Sequence, residues 1–171
     1  YFHHKSGDWP GNEPFTLASW AADQLANMPT YYVMDRDQDM AKTVASEMPT
    51  PAQVSACRWL TEPELEVYAA EYGRTGFQGG LQGYRIGTDA RFVGDLKAFA
   101  GRTIDVPTLF VSGSRDWGAY QSPGALERMT SEVCTRMIDT HFVEGAGHWV
   151  QQEKPDAVNF LLSRFLSEVD F

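Results

Sequence analysis

The hydrophobic pattern of this chain changes its period near residue 103, and this change constrains the fold more than any other feature. Residues 104–113, IDVPTLFVSG, form an apolar run that ends in Ser-Gly, which is typical of a strand buried on both faces of a parallel sheet. A helical stretch, PGALERMTSEVC, follows, and MIDTHFVEGAG then predicts a second strand. From Pro155 onward apolar residues return at helical spacing: Val158, Leu161, Leu162, Phe165, Leu166 and Val169. The predicted order is therefore β-α-β-α.

Two parallel strands do not form a stable sheet by themselves, because their outer edges and faces stay open. We therefore expect further strands from a segment outside this sequence. The chain begins at Tyr1 without a methionine, in the aromatic-rich stretch YFHHKSGDWPGNEPF, and we interpret it as a fragment of a longer protein. We interpret His3 and His4 as surface or lid histidines, since sequence neighbours point apart on most backbones and no third ligand lies at metal spacing.

The first part of the chain is predicted to be mostly helical. One short helix is indicated by Leu17, Trp20, Ala21 and Leu25, and another by Met34, Met40, Val44 and Met48. The clearest helix start is LTEPELEVYAAEY, where Thr61 and Glu64 have the spacing of a capping box. Four glycines within residues 76–83 then predict a loop or a helix entry. We divide the chain into a mostly helical region, residues 1–103, and a β-α-β-α region, residues 104–171.

The charge and the cysteines exclude several classes of function. A formal net charge of -9 argues against a nucleic-acid surface, which needs clustered Lys and Arg, and favours a small organic substrate. Cys57 and Cys134 lie far apart without a CxxC motif, so we predict isolated core thiols and no metal site. No apolar run reaches the roughly 18 residues that a bilayer span requires. We expect a soluble, cytoplasmic protein with no membrane span and no cofactor.

Candidate chemistry lies where the two strands end. Asp116, in GSRDWG, follows the first strand, and His148, in EGAGHWVQQEKP, follows the second. Open α/β sheets bind ligands at this edge, and a carboxylate that accepts a hydrogen bond from one imidazole nitrogen leaves the other nitrogen free as a base. We predict that residues 106–112 and 138–143 pair in parallel and that a carboxylate oxygen of Asp116 lies roughly 2.6–3.2 Å from a ring nitrogen of His148.

Longer stretches of the chain resemble a known family. VPTLFVSGSRDWGAYQSPGALERM and GAGHWVQQEKPDAVNFLLSRFL resemble the C-terminal part of an α/β-hydrolase, in the branch of soluble epoxide hydrolases and haloalkane or haloacetate dehalogenases. LTEPELEVYAAEYGRTGFQGGLQGYR is similar to the lid of epoxide hydrolases, whose motif ends in Tyr-Arg. The resemblance extends over residues 59–171, with residues 1–58 as further lid. It implies an α/β fold class: the C-terminal portion of an α/β-hydrolase fold, parallel strands with flanking helices, preceded by a helical lid.

The resemblance also implies roles for individual residues. His148 corresponds to the general base, Asp116 to the acid that orients it, and Tyr84 to the lid tyrosine that donates a proton as an epoxide opens. Opening an epoxide produces an alkoxide, so a hydroxyl aimed at that oxygen stabilises charge that develops only as the bond breaks. The alternative for Tyr84 is a packing residue. Trp117 and Trp149 either line the substrate pocket or belong to the core.

The chain departs from the family pattern at the nucleophile. These enzymes attack with an Asp, or in esterases a Ser, on a G-x-nucleophile-x-G elbow, and no such sequence with Ser, Asp or Cys at its centre occurs here. An oxyanion loop of the His-Gly type is likewise absent from the sequence. The second lid tyrosine is not fixed by the pattern, with Tyr31 and Tyr32 as weak candidates. We therefore expect the nucleophile upstream of Tyr1, in an N-terminal half that completes the fold, and we expect residues 1–171 alone to be inactive.

The function that this reading favours is hydrolysis of an epoxide through an alkyl-enzyme ester, which water activated by His148 then hydrolyses. Alternatives are a haloalkane or haloacetate dehalogenase and a serine esterase of the same fold, because the same base serves all three. Tyr84 favours the epoxide, since an alkoxide needs an acid whereas a halide needs neutral N–H donors such as indoles. A further alternative is a non-catalytic truncated module whose open sheet edge binds a partner by strand addition.

Overall fold

In the computed structural model, which describes residues 1–169 apart from the side chain of Asp95, two parallel strands form the centre of the second half of the chain. Strand β1 is Thr108–Gly113 and strand β2 is Met137–Val143. They pair in parallel from Leu109 opposite Asp139 to Gly113 opposite Val143, after an irregularity between Thr108 and Leu109. The predicted adjacent, parallel strands are confirmed, and so is the partial α/β fold class with helices flanking the sheet.

Short helices precede and follow the strands. In chain order the described helices are α1 Ala22–Leu25, α2 Met40–Ser46, α3 Pro51–Ala56, α4 Glu62–Thr75, α5 Gln78–Thr88, α6 Val93–Lys97, α7 Ala125–Arg128, α8 Val150–Glu153 and α9 Pro155–Glu168. Single 3-10 turns lie at His3–Lys5 and Trp117–Ala119, and a π-helical turn, Met129–Val133, continues α7.

The predicted start of α4 corresponds to the observed one, whereas α1 and α2 begin at Ala22 and Met40, later than Leu17 and Met34 where their patterns begin. At the start of α4 the Glu64 Oε2 accepts a hydrogen bond from the Thr61 backbone N–H at 2.7 Å, which completes the predicted capping box. Gly76, with φ of 65°, ends α4, and α5 begins two residues later. The glycine-rich stretch is therefore a helix entry and not an extended loop.

The chain divides into two compact units. One unit contains Tyr1–Trp59 together with Ile104–Phe171, and the other contains Leu60–Thr103. The predicted division after residue 103 coincides with one border of these units, but residues 1–59 pack with the β-α-β-α region. Packing does not test whether residues 1–103 act together as a lid, so that division stays a prediction.

The core of the first unit lies between the strands and α9. Val143, Ala146, Val150, Val158 and Leu161 are buried together, with Leu109, Val111 and Ala157 packed against them. The predicted apolar stripe of α9 is covered only in part, because the helix meets β2 along one side. Leu162 and Leu166 stay 45% and 56% exposed.

The N-terminal segment packs inside the first unit, which corrects one prediction. His4 is 1% exposed, and its ring lies 4.6 Å from that of Trp9, centroid to centroid. The interpretation of His4 as a surface histidine is therefore wrong, because tertiary packing covers it, and its assignment to a lid stays a prediction. Cys134 is a buried free thiol, as predicted, whereas Cys57 is a free thiol that is only half-buried and does not belong to the core. Among the described helices, none has the length and apolar character to cross a membrane.

Glycines allow three backbone segments to approach each other near the strand ends. A Cβ atom on Gly113 would lie 2.2 Å from the carbonyl oxygen of Ala146, and one on Gly147 would lie 2.4 Å from that of Lys5. A Cβ on Gly7 would lie 2.0 Å from the carbonyl oxygen of Gly145. Only glycine fits at these positions, because the obstacles are main-chain atoms that cannot rotate away.

We expect Gly147→Ala to lower the free energy of unfolding by about 1–3 kcal/mol, the cost of forcing extra volume into a packed site. Denaturant titration followed by circular dichroism measures this loss. Gly83→Ala is the matched control, since no atom lies within 4 Å of its added Cβ; there we expect no loss or a gain of about 0.5–1 kcal/mol. A denaturation midpoint of Gly147→Ala equal to that of the parent protein would contradict the close approach of Gly147 to the Lys5 carbonyl oxygen.

Candidate active site

The two side chains predicted to pair at the strand ends do so. Asp116 follows β1 and caps the turn Trp117–Ala119, where its Oδ1 accepts a hydrogen bond from the Gly118 N–H at 2.8 Å. His148 lies in the turn between β2 and α8. Its Nδ1 is 3.2 Å from both Oδ1 and Oδ2 of Asp116. The predicted hydrogen bond is confirmed, at the long end of its expected range.

This geometry leaves one imidazole nitrogen available for proton transfer. Because the carboxylate of Asp116 accepts at Nδ1, it favours the tautomer that carries its proton on Nδ1, so Nε2 keeps its lone pair. The Asp116 side chain is 13% exposed and that of His148 is 36% exposed. The acid is thus sheltered while the imidazole reaches accessible space, as a general base requires.

Opposing effects act on the Asp116 carboxyl group. Burial by itself raises the pKa of Asp116, but the hydrogen bonds from His148 and Gly118 and the electrostatic interactions with His148 and Lys5 outweigh it. The pKa of Asp116 therefore lies below its usual value, and the group is ionised at neutral pH.

Lys5 belongs to the surroundings of this pair, and sequence reasoning missed it. The residue is 6% exposed, and its Nζ lies 4.8 Å from the ring centroid of Tyr32 and 3.4 Å from the hydroxyl of Tyr1. Burial lowers the pKa of Lys5, and the charge of Asp116 acts in the opposite direction. Its carbonyl oxygen accepts the backbone N–H of His148 at 2.7 Å. No spacing in the sequence indicates this contact, because it joins residues 143 positions apart.

Two further charged residues hold the loops that carry the pair. The Arg115 guanidinium donates to the carbonyl oxygens of Gly7 at 2.6 Å and Asn12 at 2.8 Å. The Glu153 carboxylate accepts backbone N–H groups from Gly7 and from both neighbours of His148. The sequence indicates Glu153 only as an acidic residue five positions after His148 in EGAGHWVQQEKP, and the sequence prediction assigns it no role.

The two candidate pocket tryptophans pack against other parts of the first unit. Trp117 is 3% exposed and belongs to a cluster with Leu17 and Met28. Its Nε1 is buried and has no hydrogen-bond partner within the described residues. Trp149 donates from Nε1 to the carbonyl oxygen of Phe2 at 2.9 Å, and its ring meets that of His148 edge-on at 4.9 Å. Contact of either ring with a substrate stays a prediction.

The candidate lid tyrosines lie in different units. Tyr84 lies on α5 in the unit Leu60–Thr103, and it is 74% exposed. Tyr31 is buried in the first unit and donates from its hydroxyl to Asn12 Oδ1 at 2.5 Å. Burial raises the pKa of Tyr31, and the charge of Asp116 adds to this effect. The roles of both tyrosines stay predictions.

Two structural features bear on ligands. Across residues 1–169, the side chain of Asp95 apart, no group of three or more His, Cys, Asp or Glu side chains is arranged to hold a metal ion. A cavity of about 310 Å³ lies beside Asp116 and β1, with Phe110, Ser112, Leu126 and Met129 in its wall. The expectation that the protein needs no cofactor stays a prediction.

Comparison with known proteins gives concordant results. The chain is 37% identical over 124 residues to epoxide hydrolase A of Mycobacterium tuberculosis, a match that covers 72% of this chain and 36% of that protein. An epoxide hydrolase structure from an endophytic Streptomyces is similar with a TM-score of 0.60 and 38% identity over 70% of this chain and 34% of that one. Potato (Solanum tuberosum) epoxide hydrolase I gives a TM-score of 0.62 and 26% identity over 77% of this chain and 41% of that one. No family model matches the chain.

The fold and the strand-end pair define the class first. Parallel strands with flanking helices and an Asp-His pair beyond their carboxyl ends are those of the C-terminal part of an α/β-hydrolase. Within that class, the chain is similar to epoxide hydrolases of Mycobacterium tuberculosis and of an endophytic Streptomyces over about 70% of its own length. The matched part spans about a third of the length of the Mycobacterium tuberculosis relative.

We expect Asp116→Asn to lower the free energy of unfolding by about 1 kcal/mol at pH 7, since a neutral amide makes weaker hydrogen bonds than a carboxylate. Because the pKa of Asp116 is lowered by folding, its contribution is present above the unfolded pKa of about 3.9 and is lost as the pH falls through the folded value. The difference between parent and variant should therefore shrink below about pH 4. Denaturant titrations between pH 7 and pH 3 test this, with the exposed Asp35→Asn as control. A difference that stays constant with pH would contradict it.

Proposed function

We propose that this chain is the lid and C-terminal part of an epoxide hydrolase, in which water activated by His148 hydrolyses an alkyl-enzyme ester. The observation that carries the proposal is the hydrogen bond between Asp116 and His148 at the carboxyl ends of two parallel strands. The names of the relatives support an epoxide as substrate. The substrate is thus a small organic molecule.

The proposed reaction has two steps. In the first, a carboxylate oxygen of the nucleophile bonds to a ring carbon, the carbon–oxygen bond of the epoxide breaks, and the oxygen receives that electron pair and the hydroxyl proton of Tyr84. In the second, Nε2 of His148 takes a proton from water as the water oxygen bonds to the ester carbonyl carbon. As that intermediate collapses, the bond to the alkoxide oxygen breaks and this oxygen takes the proton from the His148 imidazolium, which releases the diol. The carboxyl proton of the nucleophile returns to the Tyr84 oxygen, so the carboxylate, the imidazole and the phenol are all restored.

The surroundings of His148 suit the second step. Asp116, ionised and sheltered, stabilises the imidazolium that forms when Nε2 accepts a proton. Lys5 adds a positive charge near Asp116, which keeps the carboxylate deprotonated while the imidazole changes its charge. The pair therefore supports a base that gains and releases a proton in each turnover.

We propose that the nucleophile lies on a segment outside these 171 residues, which also supplies the remaining strands of the sheet. The sequence contains no elbow motif with Ser, Asp or Cys at its centre, and the match to the first relative covers 36% of that relative. The cavity beside β1, with Phe110 and Met129 in its wall, offers apolar surface for such a segment. A cytoplasmic location and independence of nucleic acid and cofactors complete the proposal.

We propose that Trp117 and Trp149 border the substrate site. Trp149 meets the His148 ring edge-on, and Trp117 directly follows Asp116 in the chain. Both rings would supply apolar walls close to the reacting groups.

The buried indole N–H of Trp117 favours dehalogenation as a second candidate function. This donor has no hydrogen-bond partner within the described residues, and a departing halide is stabilised by neutral N–H donors of this kind. The same base, His148, would hydrolyse the ester intermediate. Substrate comparison separates the two activities, because the leaving group differs while the second step is shared.

We expect His148→Gln, in the protein that carries its nucleophile, to form the covalent adduct and to accumulate it, because alkylation of a carboxylate needs no base whereas activation of water does. Mass spectrometry after mixing with an epoxide measures the adduct. His141→Gln, on β2, is the matched control and should turn over without accumulation. Failure of His148→Gln to retain an adduct would contradict the base assignment.

We expect Tyr84→Phe to slow adduct formation by about 10- to 1000-fold, because the variant lacks the proton donor used as the ring opens. Single-turnover mass spectrometry measures this step, and Tyr72→Phe on α4, which keeps the ring stacked on Phe77, is the control. Parent-like reaction of Tyr84→Phe with epoxides, together with efficient turnover of haloacids, would favour the dehalogenase instead.

A further inference from the structure

The Glu153 carboxylate holds the main chain on both sides of His148. Its Oε2 accepts the N–H of Gly147 at 3.0 Å, and its Oε1 accepts the N–H of Trp149 at 3.0 Å. The two oxygens of one carboxylate thus bind the residues directly before and after the imidazole. Rotation of the peptide units that carry His148 would break at least one of these bonds.

The same carboxylate connects this turn to the N-terminal segment. Glu153 Oε2 also accepts the N–H of Gly7 at 2.7 Å, and the N–H of His148 itself donates to the Lys5 carbonyl oxygen at 2.7 Å. Three consecutive N–H groups, of residues 147–149, are therefore each fixed by an acceptor outside the turn. Because each of these three N–H groups has an acceptor, the turn is held in one well-defined position.

The electrostatics of Glu153 fit main-chain binding better than an ion pair. Burial raises the pKa of Glu153, and the N–H groups of Gly147, Gly7 and Trp149 act against that rise. No Lys or Arg side chain within the described residues forms an ion pair with Glu153. A partly buried acid that accepts hydrogen bonds from peptide N–H groups and forms no ion pair is costly unless those groups are ordered around it.

We infer that Glu153 is a positioning residue for the second chemical step, because it fixes the turn that aims His148 at the water molecule. This inference rests on the proposed function, since it assigns Glu153 to the base of that mechanism. Glu153 does not touch the reacting atoms in this assignment; it acts through the main chain of residues 147–149. A base displaced by about 1 Å loses on the order of 100-fold in rate.

The assignment predicts an unequal effect on the two steps. Adduct formation needs the nucleophile and Tyr84 but not the base, so replacement of Glu153 should leave it unchanged. Ester hydrolysis needs Nε2 of His148 at the correct place, so the same replacement should slow it. A purely structural role would instead reduce the fraction of folded enzyme and lower the adduct amplitude.

The test measures both steps separately in the protein that carries its nucleophile. Rapid-quench mass spectrometry with an epoxide gives the adduct amplitude, its rate of formation and its rate of hydrolysis for Glu153→Ala and Glu153→Gln. The matched control is Glu144→Gln, because Glu144 is an exposed acid at the other end of the same loop. Hydrogen exchange of residues 147–149 reports the order of the turn without reference to activity.

We expect Glu153→Ala to hydrolyse its adduct about 10- to 100-fold more slowly, with parent-like amplitude and formation rate and with faster exchange at residues 147–149. Glu153→Gln retains one acceptor oxygen, so its loss should be smaller. Glu153→Gln also preserves the side-chain volume, so this variant allows the same comparison of adduct formation with adduct hydrolysis if Glu153→Ala folds poorly. Glu144→Gln should match the parent in every measurement.

Two outcomes would overturn the inference while the proposed function stands. One is hydrolysis at the parent rate in both Glu153 variants, and the other is an equal loss in both steps with a reduced amplitude. Failure of the proposed function has a different signature, because His148→Gln would then retain no adduct although Glu153 is intact. In that case the assignment of Glu153 falls with it.

Discussion

The parallel pairing of β1 with β2 is the constraint on which the rest of the site depends. Gly113 and Val143 are opposite each other in the register, so β1 and β2 end side by side, with their carboxyl ends at the same end of the sheet. The pairing continues into the loops, where the N–H of Ser114 donates to the Val143 carbonyl oxygen and that of Arg115 to the Ala146 carbonyl oxygen. Asp116 and His148, 32 residues apart in sequence, meet because these loops cannot separate.

The loops are in turn fixed by main-chain contacts with the N-terminal segment. Arg115, in the loop after β1, donates to carbonyl oxygens of that segment, and Glu153, at the end of α8, accepts one of its N–H groups. The backbone of the N-terminal segment is therefore hydrogen-bonded to both. Glycines at these crossings replace side-chain packing by direct approach of main chains. Rigid positioning of Asp116 and His148 therefore comes from peptide groups, which have no rotamers to lose.

Two partly buried acids in this region have pKa values shifted in opposite directions, although burial raises both. For Asp116 the hydrogen bonds and electrostatic interactions with its surroundings prevail, whereas for Glu153 burial prevails over three N–H groups. The difference follows from what each carboxylate faces: Asp116 lies near the ionisable side chains of His148 and Lys5, and Glu153 faces main-chain dipoles. The first arrangement suits an acid that stabilises an imidazolium, and the second suits an acid that orders a turn.

The sequence by itself determined the two strands, the start of α4 and the meeting of Asp116 with His148. Apolar runs predict β1 and β2, the Thr61 capping box predicts the start of α4, and strand ends in parallel sheets predict that Asp116 and His148 meet, because these features depend on near neighbours and on one topological rule. Only the tertiary structure decided the burial of His4 and the contacts of Lys5 and Glu153 with the His148 turn. The contact of Lys5 with His148 joins two peptide groups 143 positions apart, and Glu153 also binds the N–H of Gly7, 146 positions away. Since every residue but proline carries the same N–H and C=O groups, no side-chain pattern records which of them will meet.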